Sequence, residues 1–426
     1  MVTPVDRAGP GSWHRAPPDQ RSAHALGSRA HHDPTPARLG ETWGFRPCSR
    51  WRGVKSAGDR SDTSDVNATP QSVIPLLHAV VKAGASDLHC KVGSAPRVRV
   101  DGRLRRLQVP TLEPVDTDHM LYEVLPADLV EDFERTHEAD FAYSVAGVGR
   151  FRVNAYQARG TTAMVFRLVS VVSSSIAELG LPPVVGDLAL EPRGLVLITG
   201  PTGSGKTTSL AAMVDLINTY REVNIITIED PIEVLHEDKK AIISQREVRQ
   251  DTRTFATALR AAMRQDPDVI LVGEMRDIDT VRAALQAAET GHLVLSTLHT
   301  LDAQESINRV VDFFPPHEQT QVRNALAQTL RGIVSQRLVR TVDDGRCPAV
   351  EVLVNTGRTA EAIVAPLDNP PLTDLIAEGE YYKMQTFDQH LGGLVLEGRI
   401  SYDEALQTAS KPQDLTLALR AAGMQV

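Results

Sequence analysis

The sequence predicts an α/β protein in which a small α+β domain precedes a larger domain built on a mostly parallel sheet. From residue 184 onward, short apolar runs alternate with helix-forming stretches, which is typical of a parallel sheet covered by helices. One apolar run, Gly194–Thr199, leads straight into a glycine-rich loop. Before residue 176 the apolar residues fall in shorter, alternating runs, which indicate strands joined by tight turns.

Length and composition narrow the class of protein. A chain of 426 residues predicts two or three folded units, and the net charge of −9 counts against a general nucleic-acid-binding protein. Cys48, Cys90 and Cys347 lie far apart and form no C-x-x-C pair, so neither a zinc site nor a disulfide framework is predicted. No apolar run is long enough to span a bilayer and no signal peptide is recognisable, which favours a cytoplasmic protein.

Residues 1–70 differ in composition from the rest of the chain. They are rich in Pro, Arg, His, Ser and Gly, and their apolar residues follow no period. Such a segment cannot bury enough surface to offset the entropy that ordering would cost. We therefore predict a disordered tail. Upstream sequence included through a wrong start codon and a partner-binding arm are the alternatives.

Residues 71–175 are predicted to form the small α+β domain. An amphipathic helix is expected over 73–83 and a second helix near 116–125. The Asp101-Gly102 pair between alternating residues predicts a hairpin turn. Three more strands are expected, at 140–144, 149–157 and 161–168. A stretch that contains serines and two prolines follows, and we place the linker between the domains at 176–184.

Residues 185–426 are predicted to form the larger domain, with a helical C-terminal part from about residue 345. Strands are expected at 194–199, 224–229, 269–272 and 293–297. The clearest helices between them are expected at 254–263 and 279–289. Beyond Pro315 the composition favours helices at 317–338 and 382–422, on either side of a short hairpin near 348–354.

The glycine-rich loop is the most informative motif of the chain. It matches the pattern G-x-x-x-x-G-K-[ST] at every fixed position, between a predicted strand and a predicted helix. Its glycines let backbone N–H groups approach phosphate oxygens closely. Lys206 is expected to reach the β- and γ-phosphates of ATP, and the Thr207 hydroxyl to bind Mg²⁺. The predicted nucleotide-binding residues are Gly200, Pro201, Thr202, Gly203, Ser204, Gly205, Lys206, Thr207 and Thr208.

Three further clusters stand where a nucleotide hydrolase needs them. An acidic segment at 227–233 follows the second strand of the larger domain, where its carboxylates can orient the attacking water; a solvated acidic turn is the alternative. Four apolar residues followed by Glu274 have the layout of a Walker-B strand, unless the glutamate is simply a surface residue. His299 ends a strand expected beside the phosphate loop and is a candidate γ-phosphate contact, although a structural role is the commoner one for a single histidine.

Hydrolysis at such sites usually needs one more cation on the γ-phosphate, often an arginine from another subunit. The candidates are Arg150, Arg152 and Arg167, which lie on predicted strands of the small domain. A solvated strand face is the alternative explanation for these arginines.

Taken together, the motifs resemble one family. Segments 200–208, 227–233, 266–277 and 291–300 look like the Walker A, Asp box, Walker B and His box of secretion ATPases. Shorter segments point to the PilT-type pilus retraction ATPases within them: 85–89, 99–102, 150–154, 335–338 and 384–389. The resemblance covers roughly residues 71–410 and is highly specific.

The resemblance implies a PAS-like N-terminal domain joined to a RecA-like P-loop ATPase domain, and a hexameric ring with ATP between subunits. It implies that Glu233 is the catalytic glutamate, Glu274 the Walker-B glutamate and His299 the His-box histidine. Mg²⁺ would be held by Thr207 and, partly through water, by Glu274. The cross-subunit arginines map onto the three candidates named above. A motor of this family would act on an inner-membrane pilus platform protein, at the inner face of the cytoplasmic membrane, without binding nucleic acid.

The sequence departs from the family pattern at two places, and both bear on whether the protein belongs to a pilus retraction system or to a related secretion system. Leu301 follows Thr300 where the family usually has an asparagine, and residues 371–378 differ from the C-terminal helix typical of retraction ATPases. A pilus assembly or type II secretion ATPase is therefore the main alternative, although such proteins often carry a four-cysteine zinc element. A RecA-like nucleic-acid motor is disfavoured by the acidic charge balance, and a non-catalytic scaffold by the intact motifs.

Deletion of residues 1–68 is expected to leave folding, assembly and ATP hydrolysis essentially unchanged, because the segment has no pattern that would build a core. The melting temperature, the elution volume on size exclusion and the ATPase rate of the truncated protein check this. A large fall in melting temperature or loss of the oligomer would show that the segment is structural.

Overall fold

The computed structural model describes residues 72–100, 102–171 and 174–425. The predicted tail at 1–70, Asp101 of the predicted hairpin turn and residues 172 and 173 lie outside these ranges. The described residues belong to one unit.

The first sheet is antiparallel and contains the predicted hairpin. Its strands are β1 (Asp87–Lys91), β2 (Arg97–Val100), β3 (Arg103–Arg106), β4 (Glu138–Val145), β5 (Gly149–Ala158) and β6 (Thr161–Leu168). They lie in the order β3-β2-β1-β6-β5-β4. Gly102, in the turn between β2 and β3, has a φ of 74°, a left-handed conformation that glycine adopts without a steric cost.

One face of this sheet is apolar and the other polar, because successive side chains of a strand point to opposite sides. Leu88, Phe151 and Phe166 are fully buried on the apolar face. Three helices contribute to the same core: α1 (Ile74–Lys82), α2 (Pro114–Val124) and α3 (Val130–Thr136). The first two were predicted, and the third was not. Arg152 and Arg167 lie on the opposite, polar face, directly across from each other on β5 and β6.

The rest of the chain forms the second sheet and a small parallel pair. The strands are β7 (Ser170–Val171), β8 (Gly194–Thr199), β9 (Asn224–Glu229), β10 (Val234–Leu235), β11 (Ile242–Glu247), β12 (Val269–Val272), β13 (Leu293–Leu298), β14 (Leu330–Arg340) and β15 (Arg346–Val354). Seven of them form the second sheet, in the order β11-β9-β12-β13-β8-β14-β15. All neighbours in it are parallel except β14 and β15. β7 and β10 pair only with each other, also in parallel.

Helices cover both faces of the second sheet. They are α4 (Pro183–Ala189), α5 (Lys206–Tyr220), α6 (Phe255–Ala262), α7 (Ile278–Glu289), α8 (Ala303–Asp312) and α9 (Pro316–Thr329). α6 and α7 occupy the predicted positions. Thr254 and Asp277 fix where these two helices begin, because their side chains accept hydrogen bonds from the backbone N–H three residues later.

The prediction of a single helix over 317–338 is wrong beyond residue 329. α9 ends there, and β14 begins at the next residue and runs between β8 and β15. Leu330, Ile333 and Val334 are all fully buried, because helices pack on both faces of the sheet at this strand. A strand buried on both faces loses its alternation of polar and apolar residues, so its period does not distinguish it from a helix.

The prediction of one helical run over 382–422 needs a similar correction. The C-terminal helices are α10 (Gly357–Val364), α11 (Leu372–Ala377), α12 (Phe387–Leu396), α13 (Tyr402–Thr408) and α14 (Pro412–Ala421). α12 ends before Gly398, whose φ is 70°, and α14 starts at a proline, the residue best tolerated at the first helical position. None of the helices formed by the described residues is both long and apolar enough to cross a membrane.

Candidate nucleotide-binding site

Four of the predicted site segments meet at one edge of the second sheet. The phosphate loop follows β8, Glu233 lies just past β9, Glu274 just past β12 and His299 directly after β13. These four strands are parallel neighbours in the order β9-β12-β13-β8, so their carboxyl ends lie side by side. Lys206, together with these three side chains, lines a cavity of about 560 Å³. The strand order thus brings Lys206 and His299 into one cavity although they are 93 positions apart in sequence.

The phosphate loop is packed so closely that two of its glycines are required. Gly200 has a φ of 143°, and a Cβ there would collide with the Gln336 carbonyl oxygen and lie 2.7 Å from Ser204 Oγ. Gly205 has a φ of 90°, a conformation that side chains rarely adopt, and a Cβ there would also come within 2.9 Å of Gln336 Nε2. β14, the strand that the sequence did not reveal, therefore forms the floor under the loop. Ser204 Oγ is buried without a hydrogen-bond partner among the described residues, which suits an incoming phosphate oxygen.

The Lys206 side chain is hydrogen-bonded to the backbone of the phosphate loop. Its Nζ donates hydrogen bonds to the carbonyl oxygens of Gly200 (2.8 Å) and Pro201 (3.0 Å). Burial lowers the pKa of Lys206, whereas the carboxylates of Glu274 and Glu233 act in the opposite direction. The ammonium group thus stands in a partly desolvated site near two carboxylates, where a polyphosphate would supply further counter-charge.

Glu274 and His299 are held beside each other by the ends of their strands. Thr297 Oγ1 donates to the Gly273 carbonyl oxygen (2.6 Å), which fastens the end of β13 to the residue before Glu274. Glu274 is buried, its carboxylate contacts the Arg276 guanidinium, and its Oε2 lies 3.5 Å from His299 Nε2. A change in the charge near Glu274 would therefore be felt directly by His299.

Two glutamates of the acidic segment have different environments. The Glu229 carboxylate accepts hydrogen bonds from Thr227 Oγ1 (2.6 Å) and Gln245 Nε2 (3.1 Å). Burial raises the pKa of Glu229, although these bonds and one from the Glu233 backbone oppose the shift. Glu233 is exposed and lines the cavity. The carboxylate that is free to polarise a water molecule is thus that of Glu233, whereas Glu229 supports the turn before it.

The three predicted arginines do not line the cavity of their own chain. Arg150 forms an ion pair with Glu247, with Nη2 2.9 Å from Oε2. Arg167 pairs with Asp87 through Nε at 2.8 Å. Arg152 is exposed on the polar face of the first sheet. None of the three arginines therefore stands at the phosphate loop of its own chain in this structure.

The cavity also contains side chains that were not predicted. His236, Phe255, Arg276 and Arg346 line it as well. Burial lowers the pKa of His236 to about 4, so this ring is neutral at pH 7. Arg276 stands two residues after Glu274, inside a segment recognised from sequence, whereas the other three come from separate elements with no motif to mark them.

A second cavity, of about 700 Å³, adjoins the first. Both cavities are lined by Gly205, Thr208, Leu338 and Arg346. The second one is otherwise lined mainly by polar side chains, among them Glu178, Ser209, Gln336 and Arg340. This second cavity lies beside the start of α5. If the phosphates of a nucleotide bind to the loop, the cavity has room for its nucleoside.

Comparison with known proteins agrees with the chemistry of this site. Residues 62–371 match the Type II/IV secretion system protein family. The chain is 44% identical over 342 residues to the type IV pilus retraction ATPase PilT of Pseudomonas aeruginosa, covering 80% of this chain and 99% of that protein. The structure of the pilus retraction motor PilT with bound ADP superposes with a TM-score of 0.74 at 42% identity, covering 81% of this chain and 99% of that one. The Legionella pneumophila ATPase DotB superposes with a TM-score of 0.68 at 26% identity, covering 85% and 98%.

These matches confirm the predicted α/β fold class and the family to which the motifs pointed. The segments that match include the phosphate loop, Glu233, Glu274 and His299, which share one cavity in the structure. The chain therefore belongs to the type II/IV secretion system protein family and is a PilT-type ATPase with a RecA-like P-loop ATPase domain.

Proposed function

We propose that this chain is a hexameric motor that hydrolyses ATP to drive type IV pilus retraction. The observation that carries the proposal is the meeting of Lys206, Glu233, Glu274 and His299 in one cavity, in a chain that aligns with 99% of a pilus retraction ATPase. In the ATPase reaction, the loop N–H groups and Lys206 hold the phosphates and Glu233 orients the attacking water. Phosphate release by the purified protein with Mg²⁺ and ATP tests the enzymatic part.

Retraction and assembly predict opposite phenotypes for loss of the protein. A cell without its retraction motor keeps pili on its surface but does not move by twitching, whereas a cell without its assembly ATPase has no surface pili. Electron microscopy of a deletion strain distinguishes them, and bare cells would favour the assembly or type II secretion alternative.

Retraction is favoured because the described cysteines, Cys90 and Cys347, are both buried and distant in sequence, which does not fit a four-cysteine zinc element.

Magnesium is part of the proposal, and the residues present fit it. The Thr207 side chain is exposed at the start of α5, and Glu274 lines the same cavity, where its carboxylate would bind the ion through water. Among the described residues, no group of three or more His, Cys, Asp and Glu side chains could hold a metal ion alone. The ion would therefore arrive with the nucleotide, and when bound it would neutralise charge on the phosphates.

The proposed ring follows from how the site's residues are distributed along the chain. We propose that residues 71–175 form a PAS-like domain, 176–184 a linker and 185–426 the ATPase domain. The first of these supplies Arg152 and Arg167 but no nucleotide motif, and neither arginine lines the cavity of its own chain. Each site would then be completed by the small domain of a neighbour, with the ring docked on an inner-membrane platform protein at the cytoplasmic face of the membrane.

Mixing two inactive variants tests the shared site. Rings that contain both Glu233→Gln and Arg152→Ala subunits should regain part of the parent ATPase rate, because some interfaces then pair an intact glutamate with an intact arginine. Rates are measured after the subunits have been dissociated, mixed and reassembled, with each variant reassembled alone as the control. Absence of rescue would place Arg152 in the site of its own chain or outside catalysis, and Arg167→Ala repeats the experiment at the neighbouring arginine.

A further inference from the structure

Arg150 connects the first sheet to the second within one chain. Its Nη2 donates hydrogen bonds to Glu247 Oε2 (2.9 Å) and Gln250 Oε1 (2.7 Å), and its Nη1 donates to Ser144 Oγ (3.3 Å). Only 16% of the Arg150 side chain and 8% of the Glu247 side chain are exposed. A carboxylate this deeply buried depends on its partner, because removing one member of a buried ion pair leaves an uncompensated charge. The Arg150 guanidinium is thus already bound by a carboxylate of its own chain.

The Glu247 carboxylate is also bound to the segment that carries the catalytic glutamate. The same Oε2 that accepts from Arg150 accepts the backbone N–H of Ile232 at 3.2 Å. Ile232 is buried, and the next residue is Glu233, whose side chain lines the nucleotide cavity. One carboxylate oxygen therefore joins an arginine of the small domain to the backbone beside Glu233.

A second, independent contact links the same regions. β7 follows the first sheet directly, and β10 follows Glu233 directly. The two pair in parallel, with Val234 opposite Ser170 and Leu235 opposite Val171. The backbone on both sides of Glu233 is thus attached to the small domain or to the segment that leaves it.

We propose that Arg150 is a positioning residue, which acts through Glu247 to hold the turn at 230–233, so that the placement of the small domain sets the position of Glu233. The proposal rests on the function proposed above, in which Glu233 orients the attacking water. It gives Arg150 a role different from that of Arg152, although both lie on the same face of β5. A movement of the small domain would shift Glu233 in the same chain, which would couple ring geometry to hydrolysis without any contact between Arg150 and nucleotide.

Two single variants of the full chain each remove one partner of the Arg150–Glu247 contact. Arg150→Gln and Glu247→Gln should speed amide hydrogen exchange in peptides covering 230–235 by about tenfold, the scale of one lost hydrogen bond to a charged group. Both should lower kcat by about tenfold while the KM for ATP and the Kd for ADP stay within about twofold, because they displace Glu233 and leave the phosphate loop intact. The double variant should be no worse than Glu247→Gln alone.

Arg152→Gln is the matched control, since it removes the same charge from the same strand face. It should leave exchange in 230–235 at the parent rate. Should Arg150→Gln fail to fold, Arg150→Lys replaces it, because lysine keeps the charge but loses the fork that binds two acceptors.

Three outcomes would overturn the proposal. One is weaker ADP binding with unchanged exchange in Arg150→Gln, which would make Arg150 a nucleotide ligand. Another is parental kcat in Glu247→Gln. The third is rescue of activity in rings that mix Arg150→Gln with Glu233→Gln, because a residue that acts within its own chain cannot be supplied by a neighbour. If the parent protein hydrolyses no ATP, the proposed function is wrong, and the exchange data alone still decide whether the connection exists.

Discussion

Lys206→Ala is expected to abolish productive ATP binding and to lower the ATPase rate by at least about 10²-fold, the cost typical of losing one preorganised donor to developing charge. The structure gives the reason. The Lys206 ammonium is the cation held within the phosphate loop, bonded to the carbonyl oxygens of Gly200 and Pro201. Without this ammonium group, no lysine charge among the described residues that line the cavity would offset the repulsion between the β- and γ-phosphates and the carboxylates of Glu274 and Glu233. Steady-state phosphate release and binding of a fluorescent ATP analogue measure both effects.

Lys239→Ala is the control for loss of a lysine charge near α5. Lys239 pairs with Asp215 at 2.7 Å, and neither residue lines the cavity. A half-exposed pair of this kind contributes little to stability, so this variant should keep the parental ATPase rate within about twofold. Parental hydrolysis by Lys206→Ala itself would mean that the nucleotide does not bind at this loop.

Glu233→Gln is expected to slow hydrolysis by about 10²–10⁴-fold while nucleotide affinity changes little. The substitution keeps the size of the side chain and removes the carboxylate that would polarise the attacking water. Glu233 is exposed into the cavity, whereas the neighbouring Glu229 carboxylate already accepts hydrogen bonds from Thr227 and Gln245. Single-turnover hydrolysis compared with equilibrium binding of ADP separates the chemical step from affinity.

Two further variants decide how that result is interpreted. Glu237→Gln removes an exposed carboxylate four residues after Glu233, outside the cavity, and should hydrolyse ATP at the parent rate. Glu229→Gln should reduce the rate only by loosening the turn before Glu233. If Glu233→Gln turns over normally and Glu229→Gln does not, the catalytic role belongs to Glu229.

The Arg152 and Arg150 variants are expected to respond differently in mixed rings, and the difference would separate catalysis between subunits from positioning within one subunit. An arginine that reaches a neighbour's phosphate is replaceable by a wild-type neighbour, and Arg152 is expected to behave in this way. Arg150 is not, because its Glu247 contact is intramolecular. The ring would thus use one strand of the small domain for two purposes, with one arginine facing a neighbouring site and the other supporting its own.

Much of the site was predictable because its chemistry is local in sequence. The phosphate loop needs glycines at fixed spacing and a lysine at the start of a helix, and all of these fall within eight residues. Strands β8, β9, β12 and β13 were found because each is a short apolar run bounded by turn residues. The family resemblance then assigned Glu233, Glu274 and His299 to one site, and the structure places them in one cavity.

The errors occurred where burial erased the local pattern. β14 looked like the continuation of a helix, because both of its faces are covered and neighbouring residues such as Ile333 and Val334 are buried on opposite sides of the sheet. Because β14 was not predicted as a strand, the contact of its Gln336 with the phosphate loop was not predicted either. The C-terminal helices were merged for a related reason: composition indicates helix over the whole stretch, whereas the breaks depend on single residues such as Gly398.

The sequence by itself determined the chemistry of this protein: a phosphate loop, two candidate acidic groups, a histidine and three candidate arginines. Which of them lie together was decided by the tertiary structure, because the order of the parallel strands sets which carboxyl ends are neighbours. The same holds for Arg150, which is indistinguishable from Arg152 in sequence. It differs only because β11 brings Glu247, 97 residues further along the chain, to within 2.9 Å of it. Local propensity carries no information about such contacts, since they form when distant elements pack against each other and exclude water.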